Sequence, residues 1–137
     1  MKTSYTILYA DDDQEDLHLI SEAFEKHTDN LRVAHAYNGA EALKFLAHMN
    51  RSSILPCLII LDINMPIMDG IETLREIKKV EDYKNIPVVM FSTSSHPADK
   101  RIAESLGAAY ITKPAKYGEM EKLVEQFVEK CLIEAGS

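Results

Sequence analysis

The segment at residues 58–70, LIILDINMPIMDG, constrains the fold of this chain more than any other. Its four consecutive aliphatic residues, Leu58–Leu61, need burial on both faces, as in a central strand of a parallel sheet. Asp62 follows directly, and a turn containing Pro66 and Gly70 comes next. Open α/β folds bind ligands at the carboxyl edge of such a sheet. There, Asp62 can be a metal ligand, a nucleophile or the polar start of a turn.

Four further apolar segments have the character of strands, and each ends in polar residues. They lie at residues 5–10, 31–37, 88–91 and 108–112. Apolar residues between and after them recur with helical spacing, most clearly from Met120 to Leu132. Asp13 is placed to cap the first helix, and Gly107 to follow the end of the fourth. A strand and a helix alternating about five times predict a single α/β domain over residues 1–137, with a doubly wound parallel sheet and helices on both faces.

Composition excludes several classes of partner. The chain has 22 acidic and 15 basic residues, a net charge of −7, which argues against nucleic-acid binding. No apolar run reaches the roughly 18 residues of a membrane span, and acids interrupt the first apolar run too early for a signal peptide. We therefore expect a cytoplasmic protein without a membrane partner. Cys57 and Cys131 lack CxxC spacing and are predicted to be small buried apolar residues, while the five histidines lack metal-ligand spacing.

Polar functional groups follow four of the five predicted strands. They are Asp11, Asp12 and Asp13 after the first strand, Asp62 after the third, Ser92 and Thr93 after the fourth, and Lys113 after the fifth. Each alone has a simple explanation as a helix cap, a turn, a loop or a surface lysine. Because parallel strands end at the same edge, their coincidence favours a common site.

Carboxylates that meet at one place repel each other and call for a cation. Hard oxygen ligands without a thiolate or imidazole favour Mg2+ over zinc. A metal, a lysine and a hydroxyl together would stabilise charge on a phosphoryl group.

The chain resembles the receiver domain of two-component response regulators. The resemblance covers nearly the whole chain and rests on four segments: ILYADD at 7–12, LDINMP at 61–66 with Asp69-Gly70, PVVMFST at 87–93 and GAAYITKP at 107–114. It implies a flavodoxin-like sheet with strand order 2-1-3-4-5. It also implies a phosphorelay or signalling protein that is not itself an enzyme.

The resemblance implies a role for each matching residue. Asp62 would accept a phosphoryl group from a phosphohistidine on a sensor histidine kinase or histidine phosphotransfer protein. Asp12, Asp62 and the backbone carbonyl of Asn64 would hold Mg2+, with Asp11 acting through a water. Lys113, preceding a cis proline bond, and the Ser92 hydroxyl would contact the phosphoryl oxygens. Ser92 and Tyr110 would form the switch that reshapes a partner face over the fourth helix, fifth strand and fifth helix, roughly residues 97–127.

Some details leave alternatives open. The metal pair could be Asp12 and Asp13, although the strand register favours Asp11 and Asp12 and leaves Asp13 to cap the helix. A Mg2+-dependent phosphatase with an aspartyl-phosphate intermediate would need a second aspartate where Asn64 stands. A receiver-like scaffold that is never phosphorylated is a further alternative. The sequence leaves the kinase and downstream target unnamed, and a homodimer through the partner face is compatible with it.

Overall fold

The computed structural model describes residues 5–27, 31–93 and 96–136. Its ten elements alternate along the chain. They are β1 (Tyr5–Ala10), α1 (Gln14–His27), β2 (Leu31–Ala36), α2 (Gly39–Arg51), β3 (Leu58–Leu61), α3 (Gly70–Lys79), β4 (Val88–Ser92), α4 (Pro97–Ser105), β5 (Ala109–Thr112) and α5 (Tyr117–Gly136). The predicted elements are confirmed, with strand ends shifted by one residue in β2, β4 and β5.

All neighbouring strands pair in parallel, in the order β2-β1-β3-β4-β5. The predicted doubly wound sheet is therefore confirmed. β3 lies at its centre, and all four of its residues are buried, as the aliphatic run requires. Because the strands are parallel, their carboxyl ends share one edge of the sheet.

Alternate residues of the central strands feed two separate cores. On one face, Leu8, Ile59 and Leu61 pack with residues of α2, α3 and α4. On the other face, Tyr9 and Ile60 pack with residues of α1 and α5. Packing on both faces holds the central strands in place, so the side chains at their carboxyl ends have defined positions.

The loop from β3 to α3 is closely packed beside the carboxyl edge. Asp69 and Glu72 form a reciprocal capping box at the start of α3. The Gly70 N–H donates to the Ile63 carbonyl over 2.8 Å. A Cβ at Gly70 would collide with the Asp62 carbonyl oxygen, so only glycine allows this approach. The loop is thus fixed directly after Asp62.

The predicted state of the two cysteines is wrong. Cys57 and Cys131 form a disulfide across 74 residues of sequence, with their Cα atoms 5.1 Å apart. Cys131 is fully buried, as expected of a position on the apolar stripe of α5. The pairing arises because α5 packs on the sheet face beside the residue that precedes β3, and no local sequence spacing records that contact.

No helix among the described residues is both long enough and apolar enough to cross a membrane.

Candidate functional site

Three consecutive acids follow β1, and the structure gives them different environments. Asp11 is fully buried, and its N–H continues the sheet by donating to the Ala36 carbonyl. Its carboxylate accepts hydrogen bonds from the Asp13 N–H at 2.9 Å and from the Tyr9 hydroxyl at 3.0 Å. Asp12 is exposed. The Asp13 carboxylate accepts from the Glu15 N–H at 2.9 Å, capping α1 as predicted. Asp11 and Asp12 are therefore left to face the site.

Asp62 lies next to this pair at the end of β3. Its N–H donates to the Ala10 carbonyl over 2.9 Å, which continues the ladder between the two central strands. Its side chain is only 11% exposed. One carboxylate oxygen from each of Asp11, Asp12 and Asp62 lies within 4.8 Å of the others. The predicted meeting of acids from two strands is present in the structure.

Lys113 brings the positive charge of β5 to the same place. Its ammonium lies 2.6 Å from Asp11, 2.7 Å from Asp16 and 3.6 Å from Asp62, and its side chain is only 6% exposed. The Lys113 N–H donates to the Ser92 carbonyl over 2.8 Å, joining the ends of β4 and β5.

The expectation of a cis bond between Lys113 and Pro114 is wrong, since the described chain contains no cis peptide bond. The lysine reaches the acids from a trans peptide because its main chain is already fixed at the end of β5. The trans form is also favoured by about 0.5–1 kcal/mol in X–Pro bonds.

Burial and neighbouring charges alter the acidity of the site. Burial raises the pKa of Asp62 from 3.8 to about 6, and the negative charge of Asp11 adds to the rise while Lys113 opposes it. Burial alone would lower the pKa of Lys113, but its hydrogen bonds to Asp11 and Asp16 raise it above its ordinary value. At neutral pH Asp62 is therefore mostly ionised and Lys113 carries its charge.

The two predicted switch residues occupy β4 and β5. Ser92 is fully buried at the end of β4. Tyr110 pairs with Met90 in the sheet and is half-buried. Burial raises the pKa of Tyr110, and the negative charges of Asp99 and Asp62 add to the rise. Asn64 is exposed two residues after Asp62.

Two residues of this site were missed from the sequence. Asp16 was treated only as part of an acidic stretch in α1, although its carboxylate binds Lys113. Its spacing carried a signal: it precedes the buried Ile20 by four residues, so it lies on the inward face of α1. Tyr9 was recognised only as a strand residue, and nothing in its context pointed to a bond with Asp11.

The donor set suits a divalent cation. Within the described part of the chain, the grouping with metal-ligand geometry consists of Asp11, Asp12 and Asp62, all of which supply hard oxygen atoms. Such oxygens match Mg2+ or Mn2+ better than zinc. One lysine does not balance the carboxylates around it, so a bound cation would relieve their repulsion.

Comparison with known proteins identifies relatives over most of the chain. A model described as the response regulator receiver domain matches residues 7–125. The chain is 34% identical over 122 residues to response regulator Rcp1 of Synechocystis sp., covering 87% of this chain and 83% of that protein.

Solved structures show the same similarity. The phosphorylated cyanobacterial phytochrome response regulator RcpA matches with a TM-score of 0.86 at 34% identity, over 95% of each chain. The Mn2+-bound form of Rcp1 matches with a TM-score of 0.80 at 32% identity, over 90% of this chain and 91% of that one.

Some relatives are much longer than the matched region. The chain is 43% identical over 104 residues to a protein-glutamate methylesterase/protein-glutamine glutaminase of Trichodesmium erythraeum, which is 74% of this chain but only 27% of the relative. The similarity is confined to that part of the longer protein, so it transfers no enzymatic activity to this chain.

Proposed function

The chain belongs to the response regulator receiver domain family, and on this premise we propose that Asp62 accepts a phosphoryl group from a phosphohistidine. The donor would be a sensor histidine kinase or a histidine phosphotransfer protein. One observation carries the proposal: Asp62 lies at the carboxyl edge beside Asp11 and Asp12, with the Lys113 ammonium 3.6 Å away. The phosphorylated state of RcpA, a relative with the same fold, supports it further.

The transfer needs an ionised Asp62. With a pKa of about 6, its carboxylate is mostly ionised at neutral pH. One of its oxygens attacks phosphorus and forms the new P–O bond as the P–N bond to the imidazole breaks. The bonding electrons remain on the imidazole nitrogen, which takes a proton from water. A carboxylate is a weak nucleophile, so the activated donor and the positioning of the groups must supply the rate.

The acids would bind Mg2+, which would supply positive charge for the phosphoryl oxygens. Asp12, Asp62 and the backbone carbonyl of Asn64 would be its ligands. Asp11 would contribute through a water, since both its oxygens already accept hydrogen bonds from the protein. That Rcp1, a relative, has a Mn2+-bound form supports the binding of a divalent ion by this chain.

Phosphorylation would then act on the switch. The acyl phosphate adds about −1.5 to −2 charge at Asp62. Lys113 and the Ser92 hydroxyl would turn toward its oxygens. Tyr110, which is half-buried on β5, would rotate inward. The face over α4, β5 and α5 would change shape and bind a downstream protein, or a second copy of this chain, differently.

The proposal is tested by incubating the protein with acetyl phosphate and Mg2+ and measuring its intact mass. We expect one phosphoryl group per chain, lost in Asp62→Asn and when Mg2+ is removed by EDTA. As a matched control, Asp69→Asn changes an acid in the same loop that caps α3, and it should keep the adduct. Adduct formation that survives Asp62→Asn would place the acceptor elsewhere.

The same experiment distinguishes the alternatives. A phosphatase with an aspartyl-phosphate intermediate would release phosphate over many turnovers without a stable adduct. That outcome is not expected, because Asn64 stands where a proton-transferring aspartate would be needed. A scaffold that is never phosphorylated would give neither an adduct nor phosphate release.

A further inference from the structure

Asp16 occupies an unusual place beside the proposed acceptor. It lies in the first turn of α1, where its N–H is held by the capping Asp13 at 3.3 Å. Its carboxylate accepts a hydrogen bond from the Lys113 ammonium over 2.7 Å, across 97 residues of sequence. This contact joins α1 to the end of β5, and the proposed phosphotransfer chemistry assigns it no role.

The ammonium of Lys113 lies near Asp62, but its hydrogen bonds go to two other carboxylates. Two of its three N–H groups are used in short bonds, to Asp11 at 2.6 Å and to Asp16 at 2.7 Å. The Asp62 oxygen, at 3.6 Å, lies beyond hydrogen-bonding distance. A phosphoryl oxygen on Asp62 could accept the third N–H, and any shift of the ammonium toward it would lengthen the bonds that Lys113 now makes.

The two partners of Lys113 differ in how easily they can be given up. Asp11 is fully buried, and leaving its charge unpaired there would be costly. The Asp16 side chain is 24% exposed, so water can replace the lysine at a lower cost. The bond to Asp16 is therefore the one that yields when Lys113 moves.

We infer that Asp16 is a positioning residue that competes with the phosphoryl group on Asp62 for the Lys113 ammonium. This inference rests on the proposed function of Asp62. It means that Asp16 favours the unphosphorylated state, because a Lys113 ammonium that moves toward the phosphoryl group weakens its bond to Asp16. Removing the charge of Asp16 should then strengthen the hold of the site on a phosphoryl group.

The test compares Asp16→Asn with Glu15→Gln. Both variants remove one negative charge from the first turn of α1, but Glu15 is exposed and is placed in no contact with Lys113. The probe is beryllofluoride, a mimic of the phosphoryl group, with Mg2+ at fixed concentration, and its affinity is measured by isothermal titration calorimetry. We expect Asp16→Asn to bind beryllofluoride roughly fivefold more tightly than the parent does, because a competing salt bridge of ordinary strength is lost. Glu15→Gln should match the parent.

Two further measurements separate competition from a merely structural role. In a Lys113→Met background there is no ammonium to compete for, so Asp16→Asn should no longer change the affinity. Without beryllofluoride, the 15N resonance of the Lys113 side chain in Asp16→Asn should be shifted from its position in the parent. In Glu15→Gln it should keep the parent position.

The outcomes are decisive in each direction. Unchanged or weaker beryllofluoride binding in Asp16→Asn would overturn the competition. An equal gain in Glu15→Gln would do the same, because it would assign the effect to net charge. If the parent neither binds beryllofluoride nor forms an adduct with acetyl phosphate, the proposed function of Asp62 itself fails, and that failure is visible before any variant is compared.

Discussion

The disulfide between Cys57 and Cys131 provides a quantitative test of what holds this fold together. It ties Cys57, the residue before β3, to Cys131 in the C-terminal half of α5, and the two residues are 74 positions apart in the sequence. Reduction to two thiols leaves both residues in place in the folded protein, so little packing is lost there. The main effect falls on the unfolded chain, which regains the conformational freedom that the cross-link removed.

Loop-closure entropy sets the size of the effect. For a loop of this length the chain-entropy relation gives about 4.5 kcal/mol at 25 °C. Measured values often fall below this relation, so we expect a loss of about 3–4 kcal/mol in the free energy of unfolding. For a domain of this size that loss corresponds to a melting temperature lower by on the order of 15 °C.

The assay is urea unfolding at 25 °C, followed by circular dichroism, with and without a phosphine reductant. Intact mass should rise by two hydrogens on reduction, and thiol titration should change from zero to two per chain. A Cys57→Ala/Cys131→Ala variant serves as the control, because its midpoint should not respond to the reductant. Equal midpoints for the oxidised and reduced parent would refute the loop-entropy reasoning. Phosphorylation at Asp62 should persist after reduction, since the disulfide lies at the opposite edge of the sheet.

Three further predictions concern the site. Mg2+ at ten times its dissociation constant should add about 1.4 kcal/mol to the free energy of unfolding, and Asp12→Ala should abolish the accompanying rise in melting temperature. Asp62→Asn should stabilise the metal-free protein by roughly 1–2 kcal/mol at pH 8, allowing for solvent screening. The folded protein raises the pKa of Asp62 from 3.8 to about 6, so the ionised form of Asp62 destabilises the fold. The stability gained in Asp62→Asn should therefore disappear when urea unfolding is repeated at pH 6 and then near pH 4. Gly70→Ala should cost about 2–3 kcal/mol, since the new Cβ would meet the Asp62 carbonyl oxygen and the Ile63 Cα. Gly118→Ala is the control, because a Cβ added there meets nothing within 4 Å, and it should leave the melting temperature unchanged or raise it. An equal loss of stability in both glycine variants would contradict the predicted collision at Gly70.

The fold was predictable because its signals are local. The aliphatic run of β3 could only be buried on both faces, and the alternation with amphipathic helices left few topologies. The meeting of Asp11, Asp12, Asp62 and Lys113 followed from the shared carboxyl edge of parallel strands. The order of the strands came from the resemblance to receiver domains, since alternation alone does not determine it.

The features that escaped prediction depend on contacts between distant segments. The cysteine pairing requires α5 to lie against the start of β3, and a separation of 74 residues leaves no local pattern. The trans bond before Pro114 depends on where β5 places the main chain of Lys113. The position of Asp16 could have been predicted from the sequence, because its spacing from Ile20 places it on the buried face of α1.

The charge balance of the site links its stability to its proposed role. Lys113 bonds two carboxylates and lies close to a third, and burial already raises the pKa of Asp62. A scaffold selected only for stability would gain by replacing one of these acids with a neutral residue. With all of these acids present, the lowest-energy arrangement of the site would change when a cation or a phosphoryl group is added. A cation would favour ionised Asp62, whereas a phosphoryl group would draw Lys113 away from Asp16. The energetic cost of crowding the acids is therefore the same property that makes the site responsive to phosphorylation.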